Sequence, residues 1–196
     1  MSKIILDLCG GTGCWSEPYR KAGYDVRLIT LPYYDVLTYE PPENVYGVLA
    51  APPCTCFCNA SSQYWKKFDD DGSTKAALDV VNACLSIIDK CKPKFWALEN
   101  PRGRLRRFIG NPSYSYYQYE FGGKFYKQTL LWGNFNTFII KGPVNPNPLR
   151  IDEAKLSELY QLPVDYVLAG SQMNKRAAQR SMYAPYFPLA FYEANL

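Results

Sequence analysis

The stretch Val45-Tyr-Gly-Val-Leu-Ala-Ala-Pro-Pro-Cys54 constrains the fold more than any other segment of the chain. Its short run, rich in Val and Leu, reads as a central strand of a parallel sheet covered on both faces. Pro52 and Pro53 cannot continue a hydrogen-bonded ladder, so the strand stops and Cys54 falls at its carboxyl end. In open α/β sheets that end is where ligands bind. A thiol on a stiff turn there can act as a nucleophile; the alternative is a buried structural cysteine.

At 196 residues the chain reads as one domain, 1–196, able to bury a full core without staples. A net charge of +4 permits a polyanionic partner without demanding one. The chain has seven Cys and no His. An odd cysteine count, with no apolar run long enough to span a bilayer, predicts a reducing, cytoplasmic setting. Without His there is no imidazole base and no Cys/His zinc site. Cys54, Cys56 and Cys58 are separated by single residues, unlike the paired ligands of zinc modules, so no metal is expected.

Lys3 to Leu8 reads as a strand that runs into Asp7-Leu-Cys-Gly-Gly-Thr-Gly13, with a helix over Ser16 to Ala22. Strand, glycine turn and helix make a βα unit of the nucleotide-binding kind, or a tight structural turn. Tyr24 to Thr30 reads as the next strand, but it ends in Thr30-Leu31-Pro32 without the acid that grips ribose hydroxyls in many nucleoside-binding folds. Asp35, before Val36, is the nearest carboxylate; its other reading is a solvated loop acid. Asn59 to Gly72 reads as a polar loop, a flap beside Cys54. Ser73 or Thr74 is expected to cap a helix through Cys91, with Cys84 and Cys91 on its core side.

Lys94 to Pro101 reads as a strand ending in Glu99-Asn100-Pro101. If it lies parallel beside the strand before Cys54, Glu99 shares a crevice with that thiol, where burial would raise its pKa and let it donate a proton. Arg102, Arg104, Arg106 and Arg107 follow, either phosphate contacts or a solvated basic face. Two β segments are expected at Ser113 to Phe121 and Lys127 to Trp132. A Pro-rich connection covers 137–150, a short helix Asp152 to Tyr160, and two helical pieces split by Pro185 and Pro188 close the chain.

In this order the pieces resemble the DNA cytosine-5 methyltransferases, particularly the small versions of phage genomes. The resemblance rests on Asp7 to Gly13, Ala51-Pro-Pro-Cys54 with Phe57, Leu98-Glu-Asn-Pro101, Lys127-Gln-Thr-Leu-Leu-Trp-Gly-Asn134, and Ala184 to Asn195. It implies a class I S-adenosylmethionine-dependent, Rossmann-like α/β fold with a mixed, mostly parallel sheet and helices on both faces. It implies Cys54 as the nucleophile at cytosine C6 and Glu99 at N3, with Lys127 and Thr129 completing the catalytic group. Asp7, Leu8, Gly10, Gly11, Gly13, Asp35, Val36 and Pro52 would hold S-adenosylmethionine, and the arginines would meet DNA. A host-cell cytoplasmic setting follows if the chain is phage-encoded.

Three departures stand out. The ribose-binding acid is missing, and the family's Arg-x-Arg pair reads Lys127-Gln-Thr129 here. Trp132 to Ala184 leaves little room for a target recognition domain, so short or relaxed sequence preference, or help from a homodimer or recognition partner, is expected. Two alternatives stay open: the same chemistry on a free cytidine nucleotide or RNA, or an inactive nucleic-acid-binding relic.

Overall fold

The structure is a computed structural model that describes residues 2–148 and 184–196. Its sheet has six strands: β1 (Ile4–Leu8), β2 (Asp25–Ile29), β3 (Val45–Ala50), β4 (Phe95–Pro101), β5 (Tyr114–Tyr117) and β6 (Gln128–Asn134). They lie in the order β2-β1-β3-β4-β6-β5. The first four are parallel; β6 runs antiparallel to both β4 and β5. This is the mixed, mostly parallel Rossmann-like α/β sheet that the sequence implies.

Side-chain alternation divides the core into two layers. Leu6, Leu8, Val48, Ala50, Leu98, Leu130 and Trp132 face α3 (Ser73–Cys91), which buries Val81, Cys84, Ile87 and Ile88 against them. Cys84 is thus a core residue, with Cys91 packed at the margin. On the other face Ile5, Leu49, Ala97 and Leu131 meet α1 (Glu17–Lys21) and α5 (Phe187–Ala194). Aromatic rings fill that layer: Tyr116 stacks on Phe187 with centroids 4.2 Å apart, and Trp15 meets Phe191 edge-on at 5.3 Å.

The chain moves from β1 to β2 in one direction and from β3 to β4 in the other. Right-handed crossovers therefore put α1 and α3 on opposite faces. Between β1 and β3 the order reverses, and a crevice opens at their carboxyl ends. The Cys54 turn and the glycine turn both reach it.

Several expectations are corrected. Residues 59–72 form a 3-10 turn (Asn59–Tyr64) and a short helix α2 (Trp65–Asp70), not an open loop. The segment folds because Phe68 packs against the core and Trp65 lies over a guanidinium, contacts that its charge pattern hides. Gly72 is the N-cap residue of α3; Asp71 Oδ1 accepts the Ser73 amide at 2.9 Å, and neither Ser73 nor Thr74 makes a side-chain cap. The fifth strand stops at Tyr117 and Gln118–Phe121 is a 3-10 turn. Pro188 begins α5 rather than splitting a helix, since proline fits the first helical turn, where its missing N–H costs nothing. The helix expected at Asp152 to Tyr160 lies outside the described residues, as does the start of the last segment.

The Cys54 turn is fastened to the end of β4. Arg104 N–H donates to Phe57 O at 2.8 Å, Asn59 N–H donates to Arg102 O at 3.1 Å, and Cys58 pairs with Gly103 as an antiparallel bridge. Gly103 has no alternative there, because a Cβ would lie 2.0 Å from Phe57 O. Behind the bridge the buried Arg104 guanidinium donates to Cys56 O (2.9 Å), Asp69 (2.8 Å) and Thr74 (2.8 Å). A hydrogen-bonded guanidinium inside the fold is costly to remove, because its acceptors lose their donors with it.

Arg104→Ala is therefore expected to cost about 2–3 kcal/mol in urea unfolding, whereas Arg106→Ala on the exposed α4 (Arg106–Ile109) stays within about 0.5 kcal/mol. Equal losses for the two would refute this division.

Candidate active site at the carboxyl edge of the sheet

Asp7 is completely buried at the end of β1. Ser16 Oγ donates to its Oδ2 at 2.5 Å, and Oδ1 has no hydrogen-bond partner. Gly10 makes room for this carboxyl: a Cβ there would lie 2.2 Å from Asp7 Oδ1. Cys9, Gly11 and Gly13 have φ of 56°, 56° and 71°, so the turn alternates through left-handed backbone; the Cys9 amide donates to Ile29 O at 2.8 Å and the Gly13 amide to Gly10 O at 2.9 Å. Burial raises the Asp7 pKa to about 6, against the opposing pull of the Ser16 hydrogen bond and the Arg20 charge.

Other residues expected beside a cofactor divide unevenly. Leu8 is fully buried in the α3-side core and its carbonyl accepts the Ala51 amide at 2.9 Å, while Val36 packs into the same core. Their side chains are occupied by packing. Asp35 is exposed, and its Oδ1 accepts the Leu37 amide at 3.0 Å in a local turn. Pro52 is buried, and its carbonyl accepts Asn100 Nδ2 at 3.0 Å. That bond ties the strand ends before Cys54 and after Glu99 to one another.

β3 and β4 are parallel neighbours, with Ala50 beside Leu98, so the Cys54 turn and Glu99 leave the sheet side by side. Glu99 lies opposite Leu131 on the face shared with Ala97. It sits deep, with part of its surface open. Burial raises its pKa, and the Lys127 charge partly offsets this. Lys127 bears on Cys54 as well, favouring its thiolate, whereas Glu99 disfavours it. Cys54, Glu99 and Lys127 thus form one electrostatic group.

Thr129 pairs with Tyr116 across β5 and β6 and is almost fully buried. Neither hydroxyl has a well-formed hydrogen bond, and burial followed by the Glu99 charge holds the Tyr116 phenol neutral. Thr129 therefore stands behind Glu99, within the protein. Arg104, expected at a nucleic-acid surface, is buried and spends its donors internally. Arg102, Arg106 and Arg107 are exposed, with Arg107 over the Trp65 ring at 5.9 Å.

Sequence reasoning passed over two positions. Ser16 was read only as the start of a helix, although Ser nine residues after a strand-end Asp can reach back across a glycine turn. Cys58 was weighed only as a metal ligand. It lies one helical turn beyond Cys54, its amide donating to Cys54 O at 2.9 Å. The neighbouring Cys58 first, and burial second, push the Cys54 thiol well up, while Cys58 itself is lowered, chiefly by its proximity to Cys54.

No family model matches the sequence, and no curated protein is similar to it. Among solved structures, a candidate DNA modification methyltransferase encoded within an E. coli prophage aligns at 15% identity with a TM-score of 0.49. The alignment covers 83% of this chain and 56% of that one, so the chain spans little more than half of its length. Among the described residues, no helix is long and apolar enough to cross a membrane.

Asp7 provides a test of the site's electrostatics. Its folded pKa of about 6 exceeds the ordinary 3.8, so the folded state holds an extra proton between those values. Stability contributed by this group is present below about pH 4 and falls by about 3 kcal/mol as pH rises through 6. Asp7→Asn cannot ionise. Urea titrations of variant and parent should differ by an amount that moves about 2.5 kcal/mol in the variant's favour from pH 4 to 7.5. A pH-independent difference would contradict the assignment.

Proposed function

We propose that the chain is an S-adenosylmethionine-dependent methyltransferase acting on C5 of cytosine in DNA. The observation that carries this reading is the juxtaposition of Cys54 and Glu99 on adjacent parallel strands, beside the crevice where the strand order reverses. The resemblance of the sequence motifs supplies the reaction; the geometry agrees with it.

The cofactor fits one half of this site well. The left-handed glycine turn from Cys9 to Gly13, with Gly10 leaving room over an unpartnered Asp7 oxygen, suits the amino-acid end of S-adenosylmethionine. Asp7 shapes that turn from beneath. The ribose-binding acid after β2 is missing from the sequence, and the candidate in its place, Asp35, is exposed and accepts the Leu37 amide. When bound, the cofactor supplies an electrophilic sulfonium methyl.

C5 of cytosine is too weak a nucleophile to take that methyl unaided. Cys54 Sγ adds to C6, and the ring becomes enamine-like with its electron density at C5. Glu99, whose pKa is raised by burial against the pull of Lys127, is the group placed to donate to N3 and relieve the charge that builds on the ring. Lys127 draws the thiol toward thiolate, and Asn100 holds the two strand ends at fixed separation through Pro52 O. After transfer, C5 loses its proton to solvent, N3 returns its proton to Glu99, and Cys54 leaves. A base inside a duplex must leave its stack to reach this crevice, and the segment 59–72 borders the opening. Arg102, Arg106 and Arg107 are the candidates for phosphate contacts. With little chain available for a recognition domain, a short or relaxed sequence preference is expected.

The test is mass spectrometry of nucleosides after incubation with S-adenosylmethionine and duplex DNA, with dCMP in a parallel reaction. 5-Methylcytosine in the DNA is the expected product, and product from dCMP alone would reassign the substrate. Cys54→Ser should lower turnover by at least about 10³-fold, and Glu99→Gln should lower kcat while leaving cofactor Kd within about twofold. Retained activity in the first, or a loss confined to cofactor binding in the second, would remove the mechanism.

A further inference from the structure

The connection between β5 and β6 lies at the same edge of the sheet as Cys54 and Glu99. β6 starts opposite the end of β4, with Thr129 beside Pro101, and β5 ends opposite the start of β6, with Tyr117 beside Gln128. Glu99 is opposite Leu131, which is opposite Tyr114. Tyr117 therefore stands two strands across from Glu99 and three residues along, about 10 Å in each direction.

Three tyrosines gather on this connection. The ring centroids of Tyr117 and Tyr126 are 4.6 Å apart, those of Tyr119 and Tyr126 5.5 Å, and those of Tyr117 and Tyr119 5.6 Å. The Tyr119 ring lies within 15° of parallel to Tyr126 and within 25° of parallel to Tyr117. The backbone holds the group in place. Tyr117 is the N-cap residue of the 3-10 turn Gln118–Phe121, and its amide donates to Glu120 Oε2 at 2.7 Å. The Gln118 amide donates to Lys127 O at 2.9 Å, and the Asn145 amide to Tyr119 O at 2.8 Å. Phe121 and Phe125, from the same connection, are buried and root it in the protein. Tyr117 and Tyr119 are half-buried and Tyr126 is 51% exposed, and none of the three packs into either core layer of the described residues. These rings cover one another and leave Tyr126 uncovered on its outer side.

The charge around them is positive. Between Tyr114 and Gln128 the sequence has one acid, Glu120, against Lys124 and Lys127, and Glu120 is itself paired with Lys141. Arg102 is exposed and leaves the end of β4 beside the group: its amide donates to Gln128 O at 3.0 Å, and Gln128 is the partner of Tyr117 across β5 and β6. Stacked rings among cations are the recognition chemistry of a nucleic-acid strand with unpaired bases. In a duplex each base is already covered on both faces by its neighbours.

We propose that Tyr117, Tyr119 and Tyr126 form a stacking platform for an unpaired base of the substrate strand, with Arg102 on an adjoining phosphate. The proposal rests on the DNA-methylation reading and names the state of the strand that this reading leaves open: single-stranded, or opened around the target. At about 3.4 Å per stacked nucleotide, the platform lies a few nucleotides from a cytosine held at Glu99. Drawing a cytosine out of a duplex loses its stacking and pairing, and a chain with little room for a recognition domain has few contacts to offset that loss. A base seated on Tyr126 restores one stacking interaction.

Two measurements on the full chain test this. The first uses a single-stranded oligonucleotide with one cytosine and 2-aminopurine placed in turn at each flanking position. Stacking on a tyrosine quenches this base analogue, so the parent should quench it at one or two positions on one side of the cytosine, and Tyr126→Ala should restore the signal there. The second is fluorescence anisotropy with the single strand and with a blunt duplex of the same sequence. Tyr126→Ala should weaken single-strand binding about 5- to 100-fold, and Tyr126→Phe, which keeps the ring, should stay within about twofold of the parent. Duplex binding should change less than about twofold in either variant. Arg102→Ala should lower the slope of log Kd against log salt by about one while the quenching persists. Absence of a quenched position in the parent, equal losses on single strand and duplex, or a Phe variant as weak as the Ala variant would overturn the platform. If quenching and its loss are seen in a protein that methylates neither DNA nor dCMP, the methyl-transfer reading falls and the site for unpaired bases stands. If DNA is methylated and Tyr126→Ala alters neither quenching nor binding, the platform falls and the methyl-transfer reading stands.

Discussion

The bridge between residues 56–59 and 102–104 is the contact on which the site depends. Cys54 follows a diproline and Glu99 lies near the end of a strand, so neither is held by a helix of its own. Their relative position is set where the two chain ends touch: Phe57 O with the Arg104 amide, Arg102 O with the Asn59 amide, and Pro52 O with Asn100 Nδ2. Each hydrogen bond is worth only about 1 kcal/mol net, but all of them close the same two segments on each other. Gly103 permits the approach and Arg104 anchors it from beneath. A catalytic pair built on strand ends thus gains the rigidity that loops ordinarily lack.

Much of this was legible before the structure. Short apolar runs marked β1, β3 and β4, and the resemblance carried by the glycine turn, Pro-Pro-Cys and Glu-Asn implied a mostly parallel sheet, in which Glu99 shares the Cys54 crevice if their strands are neighbours. Such signals are local, and tertiary packing had no reason to overrule them. Arg104 was different. Sequence gives four arginines in six residues with equal claim to solvent, and only the fold reveals that Cys56 O, Asp69 and Thr74 converge on one of them. Residues 59–72 escaped recognition for the same reason. Their charges nearly cancel, but the helical structure there is held by Trp65 over Arg104 and by Phe68 against the core, contacts with residues distant in sequence. Cys58 was hidden by another cause: spacing was read for metal ligation, when the relevant period was one turn of helix.

The titratable groups at the crevice follow a common logic. Asp7 and Glu99 are carboxyls pushed toward neutrality by burial, and Tyr116 is a phenol kept neutral in the same way. Lys127 bears on both Glu99 and Cys54 and moderates each. In low dielectric one cation cannot fully charge two neighbours, so burial raises the pKa of both the carboxyl and the thiol and Lys127 only moderates each.

Two of the buried polar atoms without a partner lie at the crevice. Asp7 Oδ1 and Asn100 Oδ1 are buried without partners, and both lie at strand ends that open on the crevice. At the opposite end, Lys94 Nζ bonds both the Tyr46 hydroxyl and Leu196 O, and Lys90 pairs with Glu40. A buried acceptor left open costs roughly 1–3 kcal/mol. The open oxygens of Asp7 and Asn100 place part of that cost at the ligand-facing end. That placement follows directly if this end is shaped for groups the protein itself does not supply, with its stability deficit recovered on binding. These two atoms are read from burial and hydrogen bonding, apart from the motifs, and they fall at the same edge as Cys54 and Glu99.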